Sequence, residues 1–124
     1  MASITYRLPW PPSTNSAWRH TGKVTYLTPK ARQFRLEVAE IVADCEALRG
    51  RLFVGLELTL PDKRKRDIDN HIKSTLDAMM HAGVFVDDEQ IDLLRVARLH
   101  VEPPGCCDVT ITELAPAACV LVGE

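Results

Sequence analysis

The stretch that decides the fold lies between residues 63 and 90 and reads KRKRDIDNHIKSTLDAMMHAGVFVDDEQ. Apolar residues recur in it at intervals of three and four, which is typical of one face of an amphipathic helix. These residues are Ile68, Ile72, Leu76, Met79 and Met80. Residues 67–70 predict the start of this helix, because Asp and Asn cap free backbone amides, and Gly83 predicts its end. We then expect a strand over residues 84–86 that leads into an acidic turn.

The sequence before residue 63 predicts two longer strands and a second helix. Residues 3–9 (SITYRLP) alternate polar and apolar side chains, and residues 52–60 (LFVGLELTL) predict an internal strand. Between them the proline-rich residues 9–23 predict a loop without regular structure, followed by a short strand over residues 24–27. Thr28 predicts a helix N-cap, and an apolar stripe predicts a helix of about 18–20 residues that ends at Gly50.

The last part of the chain predicts two more strands, at residues 93–101 and 108–114, joined by the turn EPPGCC. The predicted fold is therefore a single α+β domain in which two main helices pack against a mixed β-sheet. A length of 124 residues suits one domain, spanning 1–124 with a loosely packed tail over 114–124. No apolar run has the ~18–20 residues of a membrane span, and no secretory signal is evident, so we expect a cytoplasmic protein.

The four cysteines are Cys45, Cys106, Cys107 and Cys119, and none belongs to a CxxC pair. This spacing favours ordinary reduced thiols over a zinc knuckle or a disulfide framework. Zinc binding through Cys106, Cys107 and a histidine is the weaker alternative.

Charge is distributed unevenly along the chain, although the net charge is only −2. Residues 1–66 hold 12 Lys and Arg against 6 Asp and Glu, a balance of +6, whereas residues 67–124 hold 3 against 11, a balance of −8. Such asymmetry indicates a polyanion-binding surface beside an acidic site. A chance imbalance on a solvated surface is the alternative.

The acidic residues of the central stretch have the spacing of a metal site. Asp69, Lys73 and Asp77 follow one another at intervals of four on one helix face, and the acidic turn can bring Asp87 or Asp88 back towards Asp67 and Asp69. Crowded carboxylates repel one another unless a cation lies among them, and oxygen ligands favour Mg²⁺. With Lys73 to offset charge and the basic run to hold phosphates, this arrangement suits phosphodiester hydrolysis.

A purely structural interpretation of the same residues is also available. Aspartates at a helix N-terminus often cap amides, and Asp69 with Lys73 has the spacing of a surface ion pair. His71 is expected at the surface. Trp10 and Trp18 are expected to pack on the core or on a dimer interface, with stacking on unpaired bases as the alternative.

Three blocks of this sequence resemble the RusA family of Holliday-junction endodeoxyribonucleases, small bacterial proteins associated with phages and prophages. The blocks are LPWPPSTN, PDKRKRDIDNHIKSTLDAM and GVFVDDEQI, and a closing DVTITE also fits. The resemblance spans roughly residues 4–113. It implies a Mg²⁺-dependent nuclease, with Mn²⁺ as a substitute and no small-molecule cofactor, that resolves four-way DNA junctions in recombination and repair. It also implies a homodimer, since paired symmetric nicks suit two sites related by a two-fold axis.

Carried over position by position, the resemblance assigns roles to named residues. The implied catalytic residues are Asp67, Asp69, Lys73 and Asp88, of which the three aspartates are the metal ligands. The implied DNA contacts are Lys63, Arg64, Lys65 and Arg66, and the implied supporting residues are Asn70 and Asp87. Three other functions stay open at this point: a non-catalytic protein that binds branched DNA, a nuclease acting on other DNA structures, and a small interaction module.

Overall fold

The computed structural model describes residues 3–115, which form one small α+β domain with a mixed β-sheet, as predicted. The strands are β1 (Ser3–Pro9), β2 (Trp18–Thr21), β3 (Val24–Leu27), β4 (Leu52–Leu60), β5 (Ile91–Val101) and β6 (Cys106–Glu113). The α-helices are α1 (Thr14–Ala17), α2 (Pro29–Ile41) and α3 (Ile72–His81). Two 3₁₀ turns, Ile68–His71 and Asp88–Gln90, carry the acidic motifs.

Four of the strands form the main sheet in the order β1-β6-β4-β5. β4 is internal, as predicted, and it runs parallel to β5 and antiparallel to β6. Alternate residues of β4, from Leu52 to Leu58, are buried in one apolar cluster with Phe34 and Val38 of α2 and Met79 of α3. The helices therefore cover one face of the sheet, and α3 connects β4 to its parallel neighbour β5.

The prediction of an irregular loop over residues 9–23 is wrong for its second half. Thr14–Ala17 forms a helical turn capped by Ser13, and Trp18–Thr21 pairs with Val24–Leu27 in a two-stranded hairpin. Gly22 makes the tight turn at φ +61°. The short strand over 24–27 is confirmed, but its partner strand is polar and exposed, so hydrophobic periodicity gave no sign of it.

Helix α2 begins as predicted and ends earlier than predicted. The Thr28 side chain accepts a hydrogen bond from the Ala31 amide at 3.4 Å, which confirms the N-cap. The helix ends at Ile41 rather than near Gly50, because Asp44 turns the chain with a φ of 65°. Leu48 then pairs with Phe85 in an isolated bridge. The apolar residues continue past the end of the helix, because the residues of α2 and those that follow it contact the same core.

The second predicted helix is confirmed, with its first turn in the tighter 3₁₀ form, and it ends before Gly83 at φ +88°. The predicted strand over residues 84–86 is wrong, since these residues contribute only the single bridge at Phe85. The buried Val84 and Phe85 anchor the segment by packing, and the Asp88–Gln90 turn follows at once.

Cys45, Cys106 and Cys107 are free thiols, as predicted. Burial raises the pKa of Cys107 to about 12, which keeps this thiol protonated and disfavours it as a zinc ligand. Cys119 and residues 116–124 of the predicted tail lie outside the described residues. No helix within residues 3–115 is long and apolar enough to cross a membrane.

Candidate active site and basic groove

Asp67 and Asp69 lie at the start of the 3₁₀ turn that precedes α3, and both are exposed. Asp67 occupies the N-cap position, yet its side chain makes no capping hydrogen bond. Within residues 3–115 neither carboxylate enters an ion pair, and Lys73 pairs with other residues than Asp69. The two structural explanations of this motif, a helix cap and an Asp69–Lys73 pair, are therefore not what the structure shows. Both carboxylates are open to a ligand.

Lys73 connects α3 to the second acidic motif. Its Nζ lies 3.0 Å from Asp77 Oδ1 and 3.4 Å from Asp88 Oδ2. Asp77 is buried, whereas the Lys73 side chain is 60% exposed, so a buried carboxylate pairs with the ammonium of a largely exposed side chain. The hydrogen bond to Asp77, and then the charges of Asp77 and Asp88, raise the pKa of Lys73. Asp77 had the right spacing in the sequence, but no site role was predicted for it.

The acidic turn presents Asp88 with one carboxylate oxygen unpaired. Asp87 caps this turn, its Oδ1 accepting a hydrogen bond from the Glu89 amide at 3.1 Å. Asp88 Oδ2 faces Lys73, while Asp88 Oδ1 is buried and has no hydrogen-bond partner within the described chain. A buried carboxylate oxygen without a partner is unfavourable unless a cation or donor is supplied from elsewhere.

Two side chains that the sequence did not reveal hold this turn in place. Buried Gln90 accepts hydrogen bonds from the amides of Val86 and Asp87 at 2.8 and 2.9 Å, and it donates to two carbonyls at the start of β4. Arg51 forms ion pairs with Glu89 at 2.9 Å and Asp92 at 2.6 Å. Asp88 is therefore presented by a turn that is fastened to the end of an internal strand.

The donor set suits a hard divalent cation, because it consists of carboxylates of which Asp88 Oδ1, Asp67 and Asp69 are unpaired. Among residues 3–115, however, no three His, Cys, Asp or Glu side chains lie close enough together to hold a metal ion. The structure thus joins Lys73 to Asp77 and Asp88, but it does not assemble Asp67, Asp69 and Asp88 into a closed three-carboxylate group. The assignment of these three residues as metal ligands stays a prediction.

Three side chains of the basic run are exposed, and the fourth, that of Arg66, is paired within the protein. Lys63 and Lys65 are exposed, and Arg64, whose side chain is 83% exposed, has only a long contact to Asp62 at 3.6 Å. Arg66 is different, since its side chain is 17% exposed, pairs with Asp62 at 2.8 Å and lies 5.5 Å from the centre of the Trp10 ring. The hydrogen bond from Arg66 lowers the pKa of Asp62. Arg66 is therefore mostly engaged within the protein.

His71 is buried, which corrects the expectation of a surface position. Its Nδ1 is hydrogen-bonded to the Pro11 carbonyl at 3.0 Å, and its ring lies 4.6 Å from the Trp10 ring, centre to centre. Burial lowers the pKa of His71, and the charges of Arg66 and Lys30 lower it further. Trp10 is partly buried and packs against the core, His71 and Arg66, as predicted over base stacking.

A basic groove of about 380 Å³ lies beside this motif. It is lined by residues 10–13 of the proline-rich segment and by Arg64, Lys65 and Arg66 of the basic run. Lys30 of α2 and Asn70 of the acidic motif also line it. We call this feature the basic groove. Its lining places positive side chains directly next to the exposed aspartates.

An α+β domain that combines unpaired aspartates, a protonated lysine and a basic groove has the residue types of a phosphodiester-cleaving enzyme. The family model described as endodeoxyribonuclease RusA matches residues 9–112. A crossover junction endodeoxyribonuclease of Enterobacteria phage HK97 is 38% identical over 117 residues, covering 92% of this chain and 98% of that protein. The RusA protein of Escherichia coli K12 is 34% identical with the same coverage. The relative from Enterobacteria phage 82 is 36% identical over 110 residues, covering 86% of this chain and 92% of that protein.

The chain therefore belongs to the RusA family of endodeoxyribonucleases. The family model covers all three blocks on which the sequence resemblance rested, except for the first residue of the opening block.

Proposed function

We propose that this chain is a divalent-metal-dependent endodeoxyribonuclease that resolves four-way DNA junctions by phosphodiester hydrolysis. The observation that carries the proposal is Asp88, whose buried Oδ1 has no hydrogen-bond partner among residues 3–115 while its Oδ2 contacts Lys73. The relatives are named crossover junction endodeoxyribonucleases, which supplies the junction as substrate. We also propose a role in recombination and repair in the cytoplasm of a bacterium or a phage-infected cell, and the phage and bacterial sources of the relatives support it.

Asp67, Asp69 and Asp88 would hold the cation, and Mg²⁺ or Mn²⁺ fits an all-carboxylate donor set. A bound divalent ion supplies charge neutralisation on the phosphate and a more acidic water. Lys73 remains protonated because Asp77 and Asp88 raise its pKa, so its ammonium can offset negative charge that develops on the phosphate oxygens. Asp77 positions this ammonium from inside the protein, and Asp87 caps the turn that presents Asp88.

The exposed members of the basic run, Lys63, Arg64 and Lys65, would bind the DNA backbone. Such contacts are independent of base sequence, and they set the position of the strand at the carboxylates. Arg66 contributes differently, since its pairing with Asp62 and its contact with Trp10 fix the path of the basic run. Asn70 lines the same groove and directly follows Asp69 in the sequence. The DNA-binding groove would therefore lie beside the acidic residues.

We propose further that the active form is a homodimer. A four-way junction has two-fold symmetry, and two equal nicks on opposed strands require two sites related by that symmetry. Each chain would contribute one active site, so a pair of chains would supply both.

A branched-DNA binder without catalysis is the main alternative. A protein that only binds phosphates gains nothing from unpaired carboxylates beside its basic groove, because they repel the DNA backbone. The exposed positions of Asp67 and Asp69 therefore favour the nuclease. A nuclease that prefers flaps or linear duplex is the second alternative, and the choice of substrates in the following test addresses it.

The decisive experiment is nicking of an end-labelled synthetic four-way junction in Mg²⁺ and in EDTA, with linear duplex of the same sequence beside it. We expect metal-dependent paired nicks in the junction alone. Asp69→Asn should lower the nicking rate by at least about 100-fold while junction binding is retained, since it removes a charged ligand and leaves the basic groove intact. Asp44→Asn, an exposed aspartate on the α2–β4 connection, is the matched control and should nick normally. Equal cutting of linear DNA would refute the specificity for four-way junctions. Binding without nicking would refute the nuclease and leave a DNA-binding protein.

A further inference from the structure

The charged side chains that line the basic groove are all positively charged. The charged side chains that line it are Lys30, Arg64, Lys65 and Arg66, and no carboxylate is among its lining residues in the described part of the chain. Its other polar lining includes the hydroxyls of Ser13 and Ser16 and the amide of Asn70. Such a lining offers donors and positive charge, which is what a phosphate backbone requires.

Among residues 3–115, the aromatic rings that line the groove are already in contact with other side chains. Trp10 is its large aromatic side chain, and the Trp10 ring already contacts the Arg66 guanidinium and the His71 ring. Base recognition by stacking needs an accessible ring face. The contacts therefore favour the sugar-phosphate backbone over an unstacked base as the occupant.

Lys30 is the basic residue of the groove that lies outside the basic run. It lies in the first turn of α2, 33 positions before Lys63 in the sequence, and it is exposed. No ion pair within residues 3–115 involves it. Its side chain lines the groove together with Arg64, Lys65 and Arg66. Since Arg66 is paired with Asp62, the exposed positive charge in the lining comes from Lys30, Arg64 and Lys65.

We infer that the basic groove is a phosphate-binding site for the DNA strand that continues from the scissile bond, and that Lys30 is one of its phosphate contacts. The inference rests on the proposed function for the identity of the polyanion. Asn70 lines the groove and directly follows Asp69 in the sequence, so a strand lying in the groove passes beside the acidic motif. Lys30 is thus a binding residue that stands outside the motif of the family.

The test compares the salt dependence of junction binding for Lys30→Gln and for the intact chain, in EDTA so that no strand is cut. Each phosphate contact contributes about 0.7 to 0.9 to the slope of log affinity against log salt. We expect Lys30→Gln to flatten the slope by about that amount. Lys30→Arg should restore it. Lys23→Gln, which removes an exposed lysine of the hairpin turn that does not line the groove, is the matched control and should keep the full slope.

Each result separates this inference from the proposed function. An unchanged slope in Lys30→Gln, with normal nicking by the intact chain, overturns the inference and leaves the nuclease standing. A flattened slope in a chain that binds but never nicks supports the groove and refutes the nuclease. A chain that binds no DNA even at low salt refutes both.

Discussion

At the scale of single residues, the charges around the acidic motif divide into those that are free and those that are already paired. Asp67, Asp69 and Lys65 are exposed and unpaired within residues 3–115. Arg66 is bound to Asp62 and Trp10, and Lys73 is bound to two carboxylates. The sequence predicted that Asp67 and Asp69 lie near the basic run, because residues of one short motif stay close together in any fold. The assignment of Asp67, Asp69 and Asp88 to one metal site stays a prediction. The sequence could not distinguish free from paired side chains, since Asp62 and Arg66 look no different from their neighbours until the chain folds.

His71 leads to a prediction about pH. Burial and the nearby charges of Arg66 and Lys30 lower its pKa below 6.5, so the folded protein binds this proton less readily than the unfolded chain. The stability that depends on neutral His71 is present above pH 6.5 and is lost as the pH falls through the folded pKa. Thermal unfolding measured from about pH 7.5 to about pH 5 should therefore show a smaller decrease in Tm for His71→Gln than for the intact chain.

His81→Gln is the matched control for that measurement, because His81 is an exposed histidine on the same helix. It should reproduce the pH dependence of the intact chain. If His71→Gln lost as much Tm over the same range as the intact chain, the acid sensitivity would belong to other groups.

At the scale of elements, the site depends on two short 3₁₀ turns fastened to the regular structure. Ile68–His71 leads directly into α3, and Asp88–Gln90 leads directly into β5. Gln90 and Arg51 fasten the second turn to the start of β4. Each acidic motif therefore lies where an irregular turn meets a rigid helix or strand.

Gln90→Ala tests this dependence. The change removes four hydrogen bonds and leaves the amides of Val86 and Asp87 and two carbonyls without their buried partner. We expect a loss of about 2–4 kcal/mol in the free energy of unfolding, measured in urea. Gln33→Ala on the exposed face of α2 should cost less than about 0.5 kcal/mol. Equal effects of the two changes would show that the turn does not depend on Gln90.

The same elements show which features of the fold the sequence patterns could predict and which they could not. The beginning of α2 was predictable because Thr28 acts locally, on the amide three residues ahead. Its end was not, because Cys45 and Leu48 remain apolar for a tertiary reason, namely contact with the core after the helix has ended. The hairpin strand at Trp18–Thr21 was missed because an exposed two-stranded ribbon needs no apolar alternation. The order of strands in the sheet likewise depends on contacts between residues far apart in the chain.

At the scale of the whole molecule, the net charge of −2 is the sum of a basic first half and an acidic second half of the chain. The fold combines basic residues from positions 30 and 64–66 in one groove and places an acidic motif at its end. An overall repulsion between protein and DNA is therefore compatible with local attraction, because exposed charges farther away than about 10 Å are largely screened at moderate salt.

The proposed homodimer leads to the last prediction, which uses a supercoiled plasmid with an extruded cruciform. A first nick releases the supercoiling that maintains the cruciform, so linear product requires the second nick while the same dimer is still bound. Producing the intact chain and Asp69→Asn together in equal amounts, so that subunits pair at random, should leave roughly one quarter of the dimers with two working sites. The yield of linear plasmid should fall to about that fraction, and nicked circles should accumulate, as read on an agarose gel. Producing the intact chain together with Lys23→Gln, which keeps its active site, should leave the ratio of linear to nicked plasmid unchanged. If Asp69→Asn also left that ratio unchanged, the two nicks would come from chains that act independently, and the homodimer would be refuted.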